Sequence, residues 1–153
     1  MARVNATFKG LAPASPAASR IARATSAKRD TRAELMLRRA VWNTGLRFRV
    51  DVRTLPGRPD LVFSAARVAV FCDGDFWHGR NLRSRLKKLA AGHNASYWVS
   101  KISANVGRDR RTRRLLKRSG WEVLRLWESE VLADPQKAAK AVSGLVYGRL
   151  RKS

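Results

Sequence analysis

Hydrophobic and polar positions along this chain follow two periods, and the switches between them mark its elements. From Thr31 on, Ala33, Met36, Leu37, Ala40 and Val41 recur at the spacing of one buried helical face. Thr31 and Glu34 stand at capping-box spacing, and Gly45 can stop the helix in a left-handed conformation. Leu46 to Val52 alternates strictly, which predicts a strand with one buried face. Leu55-Pro56-Gly57-Arg58-Pro59 is a turn, and Leu61–Phe63 and Arg67–Phe71 read as two more strands. The near-continuous apolar run Val68–Phe71 suits the centre of a sheet. Beyond it, Gly74–Leu82 is a polar loop, and residues 83–92 are basic and compatible with a helix or with more loop. Residues 96–118 form a long helix with Trp98, Ile102, Val106, Leu115 and Leu116 as apolar positions, ended by Gly120. Trp121–Trp127 is another strand, and Asp134-Pro135 begins a last helix to about residue 149. The predicted order is α-β-β-β-α-β-α, an α/β fold with a mixed sheet flanked by helices.

Before Thr31 this patterning is missing. Residues 1–18 are rich in Ala, Ser, Pro and Gly and are expected to be a flexible tail. Residues 19–30 are basic and suit an arm that orders on a polyanion, which leaves residues 31–150 as the single folded domain. Charge then narrows the function. With 33 Lys and Arg against 11 Asp and Glu, the formal net charge is +22, so nucleic acid is the expected partner. A structural RNA-binding protein would carry the same charge, so charge alone does not make an enzyme. Cys72 is the one cysteine, which excludes a disulfide within the chain and fits a reducing, cytoplasmic and nucleoid-associated setting. No apolar run approaches the ~20 residues of a membrane span, and no signal peptide is read at the N-terminus.

Chemistry enters through carboxylates. Asp60 opens one strand, Asp73 and Asp75 follow the next, and Glu34 lies on the upstream helix. Such a cluster in a strongly cationic chain suits magnesium, which takes one or two carboxylates, waters and substrate phosphate. A metal so held can activate water and stabilise charge on a phosphodiester.

The sequence Leu55-Pro56-Gly57-Arg58-Pro59-Asp60, followed by Val70-Phe71-Cys72-Asp73-Gly74-Asp75-Phe76-Trp77-His78, resembles the signature of the very short patch repair (Vsr) mismatch endonucleases. The likeness continues through Tyr97-Trp98, Lys101-Ile102, Arg108-Asp109-Arg110-Arg111, Gly120-Trp121 and Trp127-Glu128. It spans residues 19 to about 132 and implies a restriction-endonuclease-like fold of the PD-(D/E)XK class.

The resemblance also implies roles. Asp60 matches the essential metal-binding aspartate, and Cys72 matches a position whose backbone carbonyl binds metal. His78 matches the catalytic histidine, suited to proton handling by its near-neutral pKa. Glu34 matches an acid that reaches the metal through water, although it also completes the capping box. Asp109 and Asp73 match further acids near the metals, with a helix-surface ion pair and a turn residue as their simpler alternatives. Phe76, Trp77 and Trp98 match aromatics inserted into the base stack beside a mismatch, though Trp98 also suits core packing. Arg20, Arg23 and Lys28 of the arm, with Arg58, Lys101, Arg108, Arg110 and Arg111, are the expected DNA contacts.

Well-studied family members hold a structural zinc around this loop. Here Asp75 and Ser129 stand at two of its ligand positions, and Gly79-Arg80-Asn81-Leu82 offers neither Cys nor His. No zinc is therefore expected, with Asp75 and Arg80 a candidate replacement pair. The resulting expectation is a magnesium-dependent endonuclease that nicks double-stranded DNA beside the T of a T·G mismatch. It would act as a monomer away from membranes, linked functionally to a cytosine methyltransferase. Two rivals stand beside it: a nicking enzyme of the same fold without T·G preference, in defence or a mobile element, and a non-catalytic nucleic-acid-binding protein.

Overall fold

The computed structural model describes Pro16, residues 29–75 and residues 78–153. Arg20, Arg23, Lys28, Phe76 and Trp77 lie outside these residues, as do the expected tail and nearly all of the arm.

Helix α1 (Arg32–Asn43) starts where its cap predicts, with the Glu34 N–H donating to Thr31 Oγ1 at 3.2 Å. Ala33, Leu37, Ala40 and Val41 form its buried face. Gly45 leaves the helix at φ +90°, a conformation that favours glycine.

Three strands make the sheet, in the order β1 (Leu61–Phe63), β2 (Val68–Asp73), β3 (Glu122–Trp127). β1 runs antiparallel to β2, with Leu61 opposite Val70. β3 runs parallel to β2, with Phe71 opposite Arg125 and Asp73 opposite Trp127. A parallel pair needs a long crossover, which α2 (Leu82–Ala90) and α3 (Ala95–Arg118) supply. After β3 come α4 (Glu128–Ala133) and α5 (Pro135–Leu150), the latter capped by the Asp134 side chain on the Lys137 N–H at 3.0 Å.

The two-residue period of β2 sorts its side chains onto two layers. Val68 and Val70 join the main core with α1 and α5. Ala69 and Phe71 face the opposite way, packing with Val123 and with Leu116 of α3. Asp73 continues the second row, and Arg125 continues the row of Val123. The end of that second layer is where the site forms.

Three elements differ from the sequence expectation. The stretch Leu46–Val52 is not a strand; it makes one bridge, Arg49 with Val62, through two hydrogen bonds of 2.9 Å. Its alternation is real as far as Phe48, which packs edge-on to Trp42 and Phe63 at 6.0 and 6.1 Å. Beyond that Val50 is exposed and Asp51 turns to φ +53°, so no ladder can continue. Helix α4 was not expected and α2 had no place in the expected order; with the strand lost after Leu46, the observed order is α-β-β-α-α-β-α-α among the described residues.

Candidate active site

Asp60 is fixed against the central strand. Its N–H donates to the Val70 carbonyl at 2.8 Å, and its Oδ2 accepts from the Cys72 N–H at 2.6 Å. Burial pushes its carboxyl up to about 7, and the negative charges of Glu34 and Asp73 add to the rise. Among the described residues no basic side chain forms an ion pair with it. Glu34, on α1, is buried and also raised by burial. Its Oε2 accepts from the Asp30 N–H at 2.8 Å, one residue upstream of the usual capping-box donor, and lies 3.6 Å from Arg38. Burial raises the Cys72 thiol far above its ordinary value.

The second half of the site is a histidine held by acids. His78 Nδ1 lies 2.7 Å from Asp109 Oδ2 and 3.8 Å from Asp73 Oδ1. Gly79, at φ +77°, lets the chain pass α3, since a Cβ there would press on Val106. Asp109, Thr112 and Leu116 line one side of α3, which carries Asp109 to the sheet end where Asp73 emerges. Burial alone would lower the His78 pKa. The hydrogen bond to Asp109 and the charges of Asp73 and Asp109 outweigh it, and the net shift is upward.

One member of this group was missed by sequence reasoning. Arg125 Nη1 reaches both oxygens of the buried Asp73 at 2.9 and 2.7 Å, and Nη2 lies 3.6 Å from Asp109. Its guanidinium sits 4.2 Å over the Phe71 ring. Of the expected site acids, Glu34 and Asp73 act electrostatically on Asp60, while Asp73 also joins Asp109 in the group with His78 and Arg125.

The donors fit magnesium. An unpaired, half-buried carboxylate among other acids calls for a cation, and its oxygens are hard ligands. No group of three or more His, Cys, Asp and Glu side chains is arranged around one point among the described residues. Asp60 is the carboxylate here that could hold a hard cation, and the resemblance adds the Cys72 backbone carbonyl beside it.

Asp75 and Arg80, on either side of His78 in sequence, are tied to α4 by side chains. Arg80 Nη1 meets Asp75 at 3.2 Å and also donates to Ser129 Oγ, while Nη2 meets Glu130 at 3.0 Å. The Ser129 N–H and hydroxyl both donate to Asp75. The expected Asp75–Arg80 pair thus exists, and it reaches α4 as well.

The remaining expected DNA contacts lie on the turn before Asp60 and on α3. Arg58 projects from the turn before Asp60 and is exposed. Arg108, Arg110 and Arg111 are exposed on α3. Trp98 is half-buried, edge-on to Tyr97 at 5.1 Å, with the Lys101 ammonium 5.9 Å over its ring.

A mixed sheet ending in an aspartate without an ion-pair partner among the described residues and a His–Asp pair, within a strongly basic chain, fits a phosphodiester-cleaving hydrolase of restriction-endonuclease-like fold. The family described as "DNA mismatch endonuclease Vsr" matches residues 15–84. The type II nicking enzyme V.HpaIIP of Haemophilus parainfluenzae is 35% identical over 83% of this chain and 89% of its own. V.NaeI of Lentzea aerocolonigenes is 39% identical over 87% of this chain and 81% of its own. The DNA mismatch endonuclease Vsr of Escherichia coli is 42% identical over 67% of this chain and 64% of its own. The chain belongs to the Vsr family of endonucleases. It is a DNA nicking endonuclease, and DNA is its substrate. Among the described residues no helix is long and apolar enough to cross a membrane.

Proposed function

We propose that the protein makes a magnesium-dependent nick beside the T of a T·G mismatch, as the first step of repair after 5-methylcytosine deamination. The observation that carries the metal chemistry is Asp60, a carboxylate pushed up to about 7 by burial with no basic partner among the described residues. Asp60 and the Cys72 carbonyl would hold the ion. When bound, magnesium supplies Lewis-acid stabilisation of charge on the phosphodiester and acidifies water. Asp109 holds the His78 ring by Nδ1, so Nε2 is the atom that exchanges a proton during in-line attack of water on phosphorus. Asp73 and Asp109, braced by Arg125, stabilise the imidazolium form. Breaking the P–O3′ bond gives 5′-phosphate and 3′-hydroxyl ends.

Mismatch choice is supported by likeness to relatives, among them a DNA mismatch endonuclease. One active site suffices for one cut strand, which favours a monomer. Deaminated methylcytosine as the lesion implies a functional link to a cytosine methyltransferase and a cytoplasmic, nucleoid-associated place of action. A structural zinc is not required on this reading, because Asp75, Arg80 and Ser129 already tie the loop to α4.

That same loop favours a second reading. Where metal-free side-chain contacts shape the segment next to His78, base discrimination can change while nicking chemistry is kept. The test is cleavage of a labelled duplex with one T·G pair beside its matched twin, with and without Mg²⁺, with Asp60→Ala in parallel. A metal-dependent nick beside the T, absent from the matched duplex and the variant, supports mismatch repair. Equal nicking of both duplexes moves the protein to the unspecific reading.

A further inference from the structure

A cavity of about 300 Å³ opens beside Asp60, walled by Arg29, Arg38, Asp51 and Arg58. Its lining carries Arg29, Arg38 and Arg58 against Asp51 and Asp60. Arg29 and Arg58 meet Asp51 at 2.7 and 2.8 Å, and Arg53 lies 3.5 Å from the same carboxylate. Two guanidinium groups of the lining, with Arg53 beside them, therefore share the single Asp51 carboxylate. Arg38 adds a buried Nε with no hydrogen-bond partner, while its other nitrogens meet Asp30 at 2.6 Å and Glu34 at 3.6 Å.

The backbone is bent to hold this arrangement. Asp51 and Arg58 sit at φ +53° and +52°, in the left-handed region. For Arg58 this is doubly unfavourable, because the residue before a proline is driven toward extended conformations, and Pro59 follows it. Gly57, at φ +77°, is obligatory as well, since a Cβ would strike the Thr112 side chain of α3 and press on Phe71. Thr112 lies one turn beyond Asp109, so the strained turn is packed against the helix that positions His78. Strain of this kind persists where the surrounding structure enforces it for use.

We propose that this cavity seats a backbone phosphate of the DNA strand next to the phosphodiester that is cut. Asp51 is the resident anion that keeps the arginine heads gathered before DNA arrives. Guanidinium groups suit the seat because their fixed fork matches phosphate oxygens as it matches carboxylate oxygens. The position beside the cut rests on the reading of Asp60 as the reaction-centre carboxylate. The phosphate seat itself rests only on the arginines and the DNA substrate.

The experiment measures binding, without metal, of the full chain to duplexes carrying a single neutral methylphosphonate at successive positions around a T·G pair. The variants are Arg58→Asn, which tolerates the left-handed backbone, Arg29→Gln, and Arg58→Lys as the charge-retaining control. In the parent protein one methylphosphonate position is expected to weaken binding about tenfold. Arg58→Asn should lose a similar factor on unmodified DNA, with the slope of log affinity against log salt shallower by about 0.9. In that variant the same methylphosphonate should cost nothing further, and Arg29→Gln should behave alike, while Arg58→Lys recovers part of the loss. Methylphosphonates that cost parent and variants equally at every position, or an unchanged salt slope, would overturn the seat. These readings stand apart from cleavage: metal-independent or unspecific nicking would defeat the proposed function and leave the binding result intact.

Discussion

His78 and Asp109, 31 residues apart in sequence, meet through Nδ1 and Oδ2 at 2.7 Å. An ionised carboxylate only accepts, so Nδ1 carries the proton and Nε2 is left for the reaction. Asp109→Asn should lower kcat by about 10²-fold while changing KM little. Burial pulls the imidazole pKa down and the Asp109 hydrogen bond lifts it above its ordinary value. Removing that carboxylate should therefore move the histidine limb of the pH–rate profile to lower pH. Single-turnover nicking across the pH range reads both effects, and an unmoved limb would deny His78 the proton-transfer role.

Asp60 makes a prediction about stability. Burial first, then the charges of Glu34 and Asp73, raise its carboxyl to about 7 from 3.8. Between those values the folded protein holds a proton that the unfolded chain has released. Its contribution is therefore fully present below the unfolded value and is lost as pH rises through about 7. Asp60→Asn should remove this slope and stabilise the metal-free protein at alkaline pH by on the order of 2–4 kcal/mol. Mg²⁺ should stabilise the parent under the same conditions and leave the variant unchanged. Urea unfolding at acid and alkaline pH, with and without the ion, decides both points.

Arg125 and Asp73 form the buried pair on which the histidine group leans. Arg125→Met should cost about 3–5 kcal/mol, because it leaves a buried carboxylate without its partner. Adding Asp73→Asn should recover much of that loss, since the uncompensated charge goes with it. If the double variant is no more stable than the single one, the pair is not what holds this corner together.

What the sequence revealed and what it hid follow from range. Helix α1 was legible because its signals are local at each end, Thr31 and Glu34 at the start and Gly45 at the stop. The central place of β2 was legible from its unbroken apolar run, buried on both faces. The failed strand after Leu46 was not, because its alternation is genuine through Phe48 and only the left-handed Asp51 ends it. Helix α4 lacks a side-chain cap, with Trp127 at its N-cap, so nothing local announces it. Arg125 occupies an alternating strand position that reads as solvent-facing, and its partner Asp73 is 52 residues away. Asp60, Asp73, His78 and Asp109 were found by motif likeness. Their division into an aspartate centre and a histidine group came only from the fold.

The Asp75–Arg80–Ser129 contacts carry the last prediction. Arg80 reaches Asp75, Ser129 and Glu130 at once, and so joins Asp75 to the start of α4. Asp75 is held below the usual carboxylate range: burial would raise it, but the two Ser129 donors and Arg80 outweigh that penalty. The group is more exposed than a buried pair, so its worth in stability is modest, about 1 kcal/mol. Its effect on the reaction should be larger than its effect on folding, because it fixes where His78 stands. Arg80→Ala should lower kcat by about tenfold and flatten the preference for one duplex over another, with little change in unfolding midpoint. A strong zinc chelator should leave the midpoint of the parent unchanged. Loss of folding on chelation would mean that a metal, and not this ionic contact, holds the loop.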